Sequence, residues 1–265
     1  MRRSPGRWGG QVDLVFNPYG WLIALGILTA VLLARRDEKR LGLPKDTAID
    51  VALTVVPLGV LGARLYYVLF RWSVYAANPI SALYIWEGGL AIYGGLIGGF
   101  LGLVLLSRVK RLKLPALIDL IIPYVLLAQA IGRWGNYFNG EAYGRPVLEA
   151  ALQFFPYAVN VGGEWFQATF FYESAADLVG FLILFFTRKR WRLGDGLPLY
   201  CIVYGIPRAV IEGMRSDSLY IGGTGIRVSQ LLSAVLVALA CGHFLYRYVI
   251  KRRKPLEQNA VPPAH

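Results

Sequence analysis

Seven stretches of the chain are apolar almost without interruption, and short segments rich in arginine and lysine separate several of them. They cover residues 18–34, 47–70, 89–107, 115–134, 167–187, 197–213 and 228–250. Each approaches the ~20 residues that a helix needs to cross ~30 Å of hydrocarbon. Unpaired backbone amides in lipid are too costly for irregular chain, so every stretch is expected to be helical. The pattern therefore predicts an all-α, polytopic integral membrane protein, a single transmembrane domain over 1–265 with about seven spans. The first 34 residues have a basic start and an apolar run, as a removable signal peptide does. That run ends in Ala34–Arg35–Arg36 with no small-residue cleavage pattern, so a retained span is expected.

One connection differs from the others. Residues 135–166, between the fourth and fifth stretches, are polar, glycine-containing and rich in aromatic residues. Loops of this length are functional or disordered. The aromatic content favours a packed insertion at the membrane interface over disorder.

Composition sharpens the membrane reading. Of 265 residues, 56% are hydrophobic and only 17% charged, with a net charge of +12, and the mean hydropathy is +0.48. Soluble domains are ~45–50% apolar and ~25% charged. A basic protein that binds nucleic acid needs a soluble basic face, and this chain lacks one, so no nucleic-acid partner is expected. Four clusters hold eighteen of the 28 Lys and Arg residues: 35–45, 108–113, 188–192 and 247–254. With seven spans all four fall on one side, while Arg2, Arg3, Arg7, Arg71, Arg145, Arg215 and Arg227 fall on the other. The positive-inside rule then places the N-terminus outside and the C-terminus, with a tail over 251–265, in the cytoplasm. The 135–166 insertion is extracytoplasmic in this arrangement. Cys201 and Cys241 sit in apolar runs, with neither a disulfide framework nor metal-ligand spacing.

Three arginines remain inside spans: Arg64, Arg133 and Arg208. A charge within the bilayer costs at least ~2.5–3.5 kcal/mol and points to a partner or a wet cavity. All three fall in the outer halves of their spans. For each the alternatives are function, snorkelling to outer headgroups, or pairing with Glu173, Asp177 or Glu212. In the sixth span Tyr204, Arg208, Glu212 and Arg215 recur at intervals of 4, 4 and 3. They share one helix face and climb ~16 Å. The guanidinium fork suits phosphate oxygens, and Glu212 is expected to pair with Arg208 or Arg215. An ion-pair ladder is the structural alternative.

The third span opens with Gly88–Gly89–Leu90–Ala91–Ile92–Tyr93–Gly94–Gly95–Leu96–Ile97–Gly98–Gly99, followed by Gly102. Small-xxx-small ridges of this kind let helices approach closely. They leave Tyr93 unexplained, a phenol whose hydroxyl needs a partner. Glu173 and Asp177, at the start of the fifth span, either hold arginines in place or act as acid/base groups. Nearby cations keep carboxylates ionised, which favours the first role. Asp50 and Asp119, near inner span ends, read as structural.

The run Gly132–Arg133–Trp134–Gly135–Asn136–Tyr137–Phe138–Asn139–Gly140–Glu141–Ala142–Tyr143–Gly144 resembles the signature of bacterial prolipoprotein diacylglyceryl transferases, G-R-x-G-N-aromatic-x-N-x-E-x-x-G, at every specified position. Tyr19–Gly20, the glycine-rich third span, Asp119, Tyr172–Glu173 and the Tyr204–Arg208–Glu212–Arg215 stripe follow the family order. The resemblance covers residues ~15–250. It implies transfer of the diacylglyceryl group of phosphatidylglycerol to the lipobox cysteine thiol of secreted prolipoproteins, at the outer leaflet of the bacterial inner membrane. Glycerol phosphate is released, a thioether remains, and no metal or nucleotide cofactor is required. The expected partners are phosphatidylglycerol, prolipoprotein signal peptides and the bilayer itself.

The expected catalytic residues are Arg133, Arg208 and Tyr93. The two arginines supply preorganised charge for the departing phosphate, and the same field lowers the thiol pKa below its usual ~8.5. Arg133 also binds substrate, with Tyr19, Asn136, Asn139, Glu141, Gly144, Tyr204, Glu212 and Arg215. Asn136, Asn139 and Glu141 suit the glycerol head, and Gly144 permits close backbone approach. Many family members carry histidine where Tyr93 stands, and another approaching Tyr172–Glu173 where this chain has Gln167–Ala168–Thr169. A tyrosine of pKa ~10 is a poor neutral-pH base. The outer half therefore holds no histidine, and the arginine field is expected to make a base unnecessary. A phospholipid or anion transporter, or a structural scaffold, are the alternatives. Neither accounts for polar residues gathered toward one side and for the long insertion.

Overall fold

Apolar helices that cannot expose their amides are assembled here as an antiparallel bundle. The computed structural model describes residues 18–216, 218, 220–222 and 224–250. Helices α1 (Pro18–Ala34), α2 (Thr47–Phe70), the single turn α3 (Trp72–Tyr75), α4 (Ile92–Val109), α5 (Leu114–Asn139), α6 (Thr169–Thr187), α7 (Gly196–Glu212) and α8 (Val228–Phe244) follow in order. Among the described residues six segments are long and apolar enough to cross a membrane: Pro18–Asp37, Thr47–Phe70, Ile92–Val109, Leu114–Asn139, Thr169–Arg190 and Val228–Ile250. The sixth stretch, which forms α7, is 17 residues long and falls just short of that length; it carries Arg208 and Glu212. Arg2, Arg3, Arg7 and the expected tail 251–265 lie outside the described residues.

Glycines set the closest crossing. A Cβ added to Gly62 on α2 would stand 3.0 Å from the Gly98 Cα on α4, and one on Gly102 would stand 3.3 Å from the Val55 Cα. The ridge Gly94–Gly98–Gly102 thus lies against α2, as small-xxx-small spacing predicts. A larger residue there would push the backbones apart.

Two expectations require correction. The chain is not purely α-helical: β1 (Ala158–Val161) and β2 (Glu164–Gln167) form an antiparallel hairpin. Nor does the insertion begin at 135, because α5 continues to Asn139 and ends at Gly140, whose φ is +67°. Gly135 is the first residue past the fourth apolar stretch. It stays helical because its missing side chain admits the Tyr19 ring, whose Cε2 would lie 3.1 Å from an added Cβ. The insertion therefore occupies 140–168 and packs through aromatic contacts. Phe155 lies 6.4 Å from Trp134 and 4.9 Å from Phe171, centroid to centroid.

The basic clusters meet at one end of the bundle. Asp37 accepts from Tyr124 Oη at 2.6 Å and from Arg188 Nε at 2.7 Å. Lys110 pairs with Asp50 at 3.0 Å, and Arg247 with Asp195 at 2.8 Å. Asp119 accepts the amides of Gly194 at 2.6 Å and Gly196 at 3.0 Å, so it caps the start of α7. Carboxylates that accept N–H donors at a helix N-terminus are stabilised there. The other end of α7 bears Arg208 and Glu212 and meets Arg133 and Glu173. Helix α7 therefore extends from the basic end to the level of Arg133.

Candidate active site

The face Gln129–Arg133–Asn136 of α5 recurs at intervals of 4 and 3, so these three polar side chains point the same way. They point into a cavity of about 400 Å³ between α1, α2 and α5. Near the basic end it is walled by Ala34, Ala48, Val51 and Tyr124, and at the opposite end it meets Tyr19, Arg133 and Asn136. Tyr124 and Asn136 are about 18 Å apart along a helix axis. A long apolar trough ending in a cation and amides fits an amphiphile with its charged head at Arg133.

Behind Arg133 stands a chain of ion pairs from three helices. Arg133 Nη1 lies 2.8 Å from Glu173 Oε2, and its Nε lies 3.9 Å from Asp177 Oδ2. Its Nη2 donates to Tyr204 Oη at 3.4 Å. Arg208 pairs with Glu173, and its Nη2 with Glu212 Oε2 at 2.9 Å. Arg215 Nη1 reaches Glu173 Oε1 at 3.5 Å. The three carboxylates are 2–3% exposed. Such groups persist in an apolar bundle only when paired, since an unpaired buried charge costs several kcal/mol. Glu212 thus pairs with Arg208, within the stripe foreseen from sequence, and Glu173 and Asp177 hold arginines.

The structure separates the three in-span arginines. Arg133 lines the cavity, whereas Arg208 is joined to it through Glu173 and does not line it. Arg64, 6% exposed, is spent on main-chain carbonyls. It donates to Ser81 at 2.9 Å, Ala82 at 2.7 Å, Gly88 at 2.7 Å and Gly89 at 3.2 Å. Its guanidinium also lies 5.2 Å from the Tyr75 ring centroid. Arg64 clamps the connection between α3 and α4, and neither snorkels nor meets Glu173, Asp177 or Glu212.

The remaining sequence candidates divide likewise. Tyr19 and Asn136 line the cavity. Tyr204 supplies the hydroxyl facing Arg133, and Glu212 and Arg215 belong to the ion-pair chain. Asn139 donates to Glu141 at 3.2 Å, an exposed contact at the end of α5. Gly144 is approached by the protein's own backbone, since it bridges to Arg215 and its amide donates to the Gln167 carbonyl at 2.9 Å. A Cβ there would stand 2.7 Å from Gln167 Cβ. Tyr93 lies outside the cavity lining, half exposed, its ring 6.4 Å from Tyr66. In the insertion, burial holds the Tyr143 phenol above its usual pKa, and it donates to the Tyr137 carbonyl at 3.2 Å.

Sequence reasoning missed two residues. Gln129 lines the cavity and accepts from Tyr200 Oη at 3.2 Å, and Tyr200 stacks on Tyr204 at 5.3 Å. The spacing of Gln129 to Arg133, one helical turn, was the available signal. Ser174 was also unremarked. It accepts from Trp134 Nε1 at 3.1 Å and donates to the Ala130 carbonyl at 2.8 Å, fixing α6 against the signature segment.

Comparison with known proteins gives a consistent result. The family model described as prolipoprotein diacylglyceryl transferase matches residues 11–246. Proteins named phosphatidylglycerol–prolipoprotein diacylglyceryl transferase from Staphylococcus aureus strains JH9 and Mu50 are each 42% identical over 244 residues, covering 90% of this chain and 87% of theirs. The protein of the same name from strain MRSA252 is 42% identical, with 86% of its length covered.

Proposed function

The chain belongs to the prolipoprotein diacylglyceryl transferase family, and from that premise we propose that the trough and the arginine at its polar end form its active site. The protein transfers the diacylglyceryl group of phosphatidylglycerol to prolipoproteins, the first step of lipoprotein maturation. In our reading the acyl chains lie in the trough and the phosphodiester meets Arg133. The acceptor is the thiol of the lipobox cysteine. Its sulfur forms a bond to the glyceryl carbon as the bond from that carbon to the phosphate oxygen breaks. Glycerol phosphate leaves and carries the thiol proton away.

Arg133 combines a place in the cavity with a guanidinium fork held by Glu173 and Tyr204. A donor that need not reorganise as charge develops on the leaving oxygens is worth far more than a mobile one. Arg208 adds positive field through the shared Glu173, while Asn136 and Tyr19 suit the head group. The position of Tyr93 supports a supporting role in preference to proton abstraction. His243 is in the last turn of α8, toward the basic end. With no histidine near Arg133 among the described residues, the arginine field itself promotes loss of the thiol proton.

For the topology we propose seven crossings, α7 being counted with the six longer helices. It runs from the basic end to the level of Arg133, and its charged stripe faces inward, where a polar residue in a membrane must point. The basic end is then cytoplasmic. The site opens toward the outer leaflet of the bacterial inner membrane, where secreted prolipoproteins emerge.

The observation that carries this reading is Arg133 at the head of a lipid-length apolar trough. Reconstitution with phosphatidylglycerol and a lipobox peptide tests it. Thioether-linked diacylglycerol and free glycerol phosphate are expected. Lipid scrambling without either product would overturn it.

A further inference from the structure

The ion-pair chain contains three arginines, Arg133, Arg208 and Arg215, and three carboxylates, Glu173, Asp177 and Glu212, linked within 4 Å. Within the six the charges balance when every group is ionised, and the Arg227 guanidinium donates to the Glu212 carbonyl beside them. A phosphodiester brought to Arg133 adds a negative charge next to Asp177 and engages the arginine with which Asp177 pairs, in a region where uncompensated charge is costly. Uptake of one proton by that carboxylate offsets the added charge.

The carboxylates are not equally placed to take it. Glu173 is met by all three arginines, with Arg133 at 2.8 Å and Arg215 at 3.5 Å. Glu212 Oε2 lies 2.9 Å from Arg208. Oxygens of all three lack an aligned hydrogen bond among the described residues, but for Glu173 and Glu212 a guanidinium nitrogen is within 3 Å. For Asp177 Oδ2 the paired cation among the described residues is Arg133 alone, at 3.9 Å. The groups around it are Arg133 from α5, Arg208 and the phenols of Tyr200 and Tyr204 from α7, and Glu173 one turn away on α6. Its ion-pair partner is also the arginine that the phosphate would engage.

We propose that Asp177 takes up one proton when a lipid phosphodiester binds at Arg133, so that lipid binding is proton-linked. The inference rests on Arg133 being the phosphate site. A glycerol phosphodiester does not titrate near neutrality, and a binding assay without peptide contains no acceptor thiol, so any slope with pH belongs to the protein.

The test uses the full chain in nanodiscs of zwitterionic lipid, titrated with short-chain phosphatidylglycerol between about pH 5.5 and 8.5. Affinity should fall with rising pH, approaching tenfold per unit where the proton must be supplied on binding. Asp177→Asn, which mimics the protonated acid, should bind with pH-independent affinity, at least as tightly as the unmodified protein at the alkaline end. Asp177→Glu should keep the slope. Calorimetry of the unmodified protein in two buffers of different ionisation enthalpy should show proton uptake, a readout that does not depend on either variant folding. A flat pH profile without proton uptake would overturn the inference, as would an Asp177→Asn protein that keeps the slope. If Arg133→Ala instead binds phosphatidylglycerol undiminished at every pH, the failure lies in the phosphate site itself.

Discussion

Arg64 and Arg133 are both arginines in the half of a helix farthest from the basic clusters, and their guanidinium groups are used in opposite ways. Arg64 spends its donors on four main-chain carbonyls of the α3–α4 connection. Arg133 keeps one face on a cavity while Glu173, Asp177 and Tyr204 hold the other. An arginine that spends four of its five N–H donors on buried carbonyls is committed to the fold and poorly placed to meet a substrate. One braced by carboxylates is held rigid, with its charge turned toward open space. What separates them is the kind of acceptor, which depth in the membrane does not reveal.

The contrast can be broken by experiment. Arg133→Ala should lower the transfer rate to phosphatidylglycerol-dependent peptide acceptors by at least ~10²–10³-fold. Its unfolding midpoint in detergent should stay within ~5 °C, because Glu173 keeps Arg208 and Arg215 and Asp177, losing its ion pair with Arg133, takes up a proton instead of remaining an unpaired charge. A misfolded Arg133→Ala protein would make the two arginines equivalent. Arg64→Ala should do the reverse. Stranding four carbonyls costs roughly 3–5 kcal/mol, read as a lower unfolding midpoint, while the folded fraction keeps activity within ~10-fold. Arg64→Lys, which cannot span all four acceptors, should fall between.

Smaller effects sharpen the boundary of the site. Asn136→Ala, on the cavity face with Arg133, should lose about tenfold in kcat/KM for the lipid, whereas Asn139→Ala, which leaves only an exposed contact with Glu141, should lose much less. Tyr93→Phe should reduce transfer only about two- to fivefold. A complete loss, measured as initial rate, would place the phenol in the chemistry despite its position beside Tyr66.

Much of this was legible along the chain. The bounds of α1 and α2 coincide with apolar runs, because hydrocarbon thickness dictates their length. The glycine ridge of α4 announced its approach to α2. The stripe on α7 put Arg208 and Glu212 one turn apart, and they pair. Other features were hidden for identifiable reasons. The fourth apolar stretch stops before Gly135, yet the helix continues through it as a slot for Tyr19, whose α1 is more than a hundred residues away in sequence. The β1–β2 hairpin is four residues a side, too short for alternation to stand out among aromatic residues. Gly144 reads as room for a ligand and is filled by the Gln167 side chain.

By itself the sequence determined the membrane character, the helices, the charge asymmetry and the family, since each follows from local periodicity, burial cost or a contiguous motif. Only the tertiary structure decided which arginine faces the trough, which one clamps a connection, and that Glu173 serves three cations at once. Those outcomes depend on how helices distant in sequence rotate and pack against one another, and a buried charge takes whatever partner that packing brings within reach.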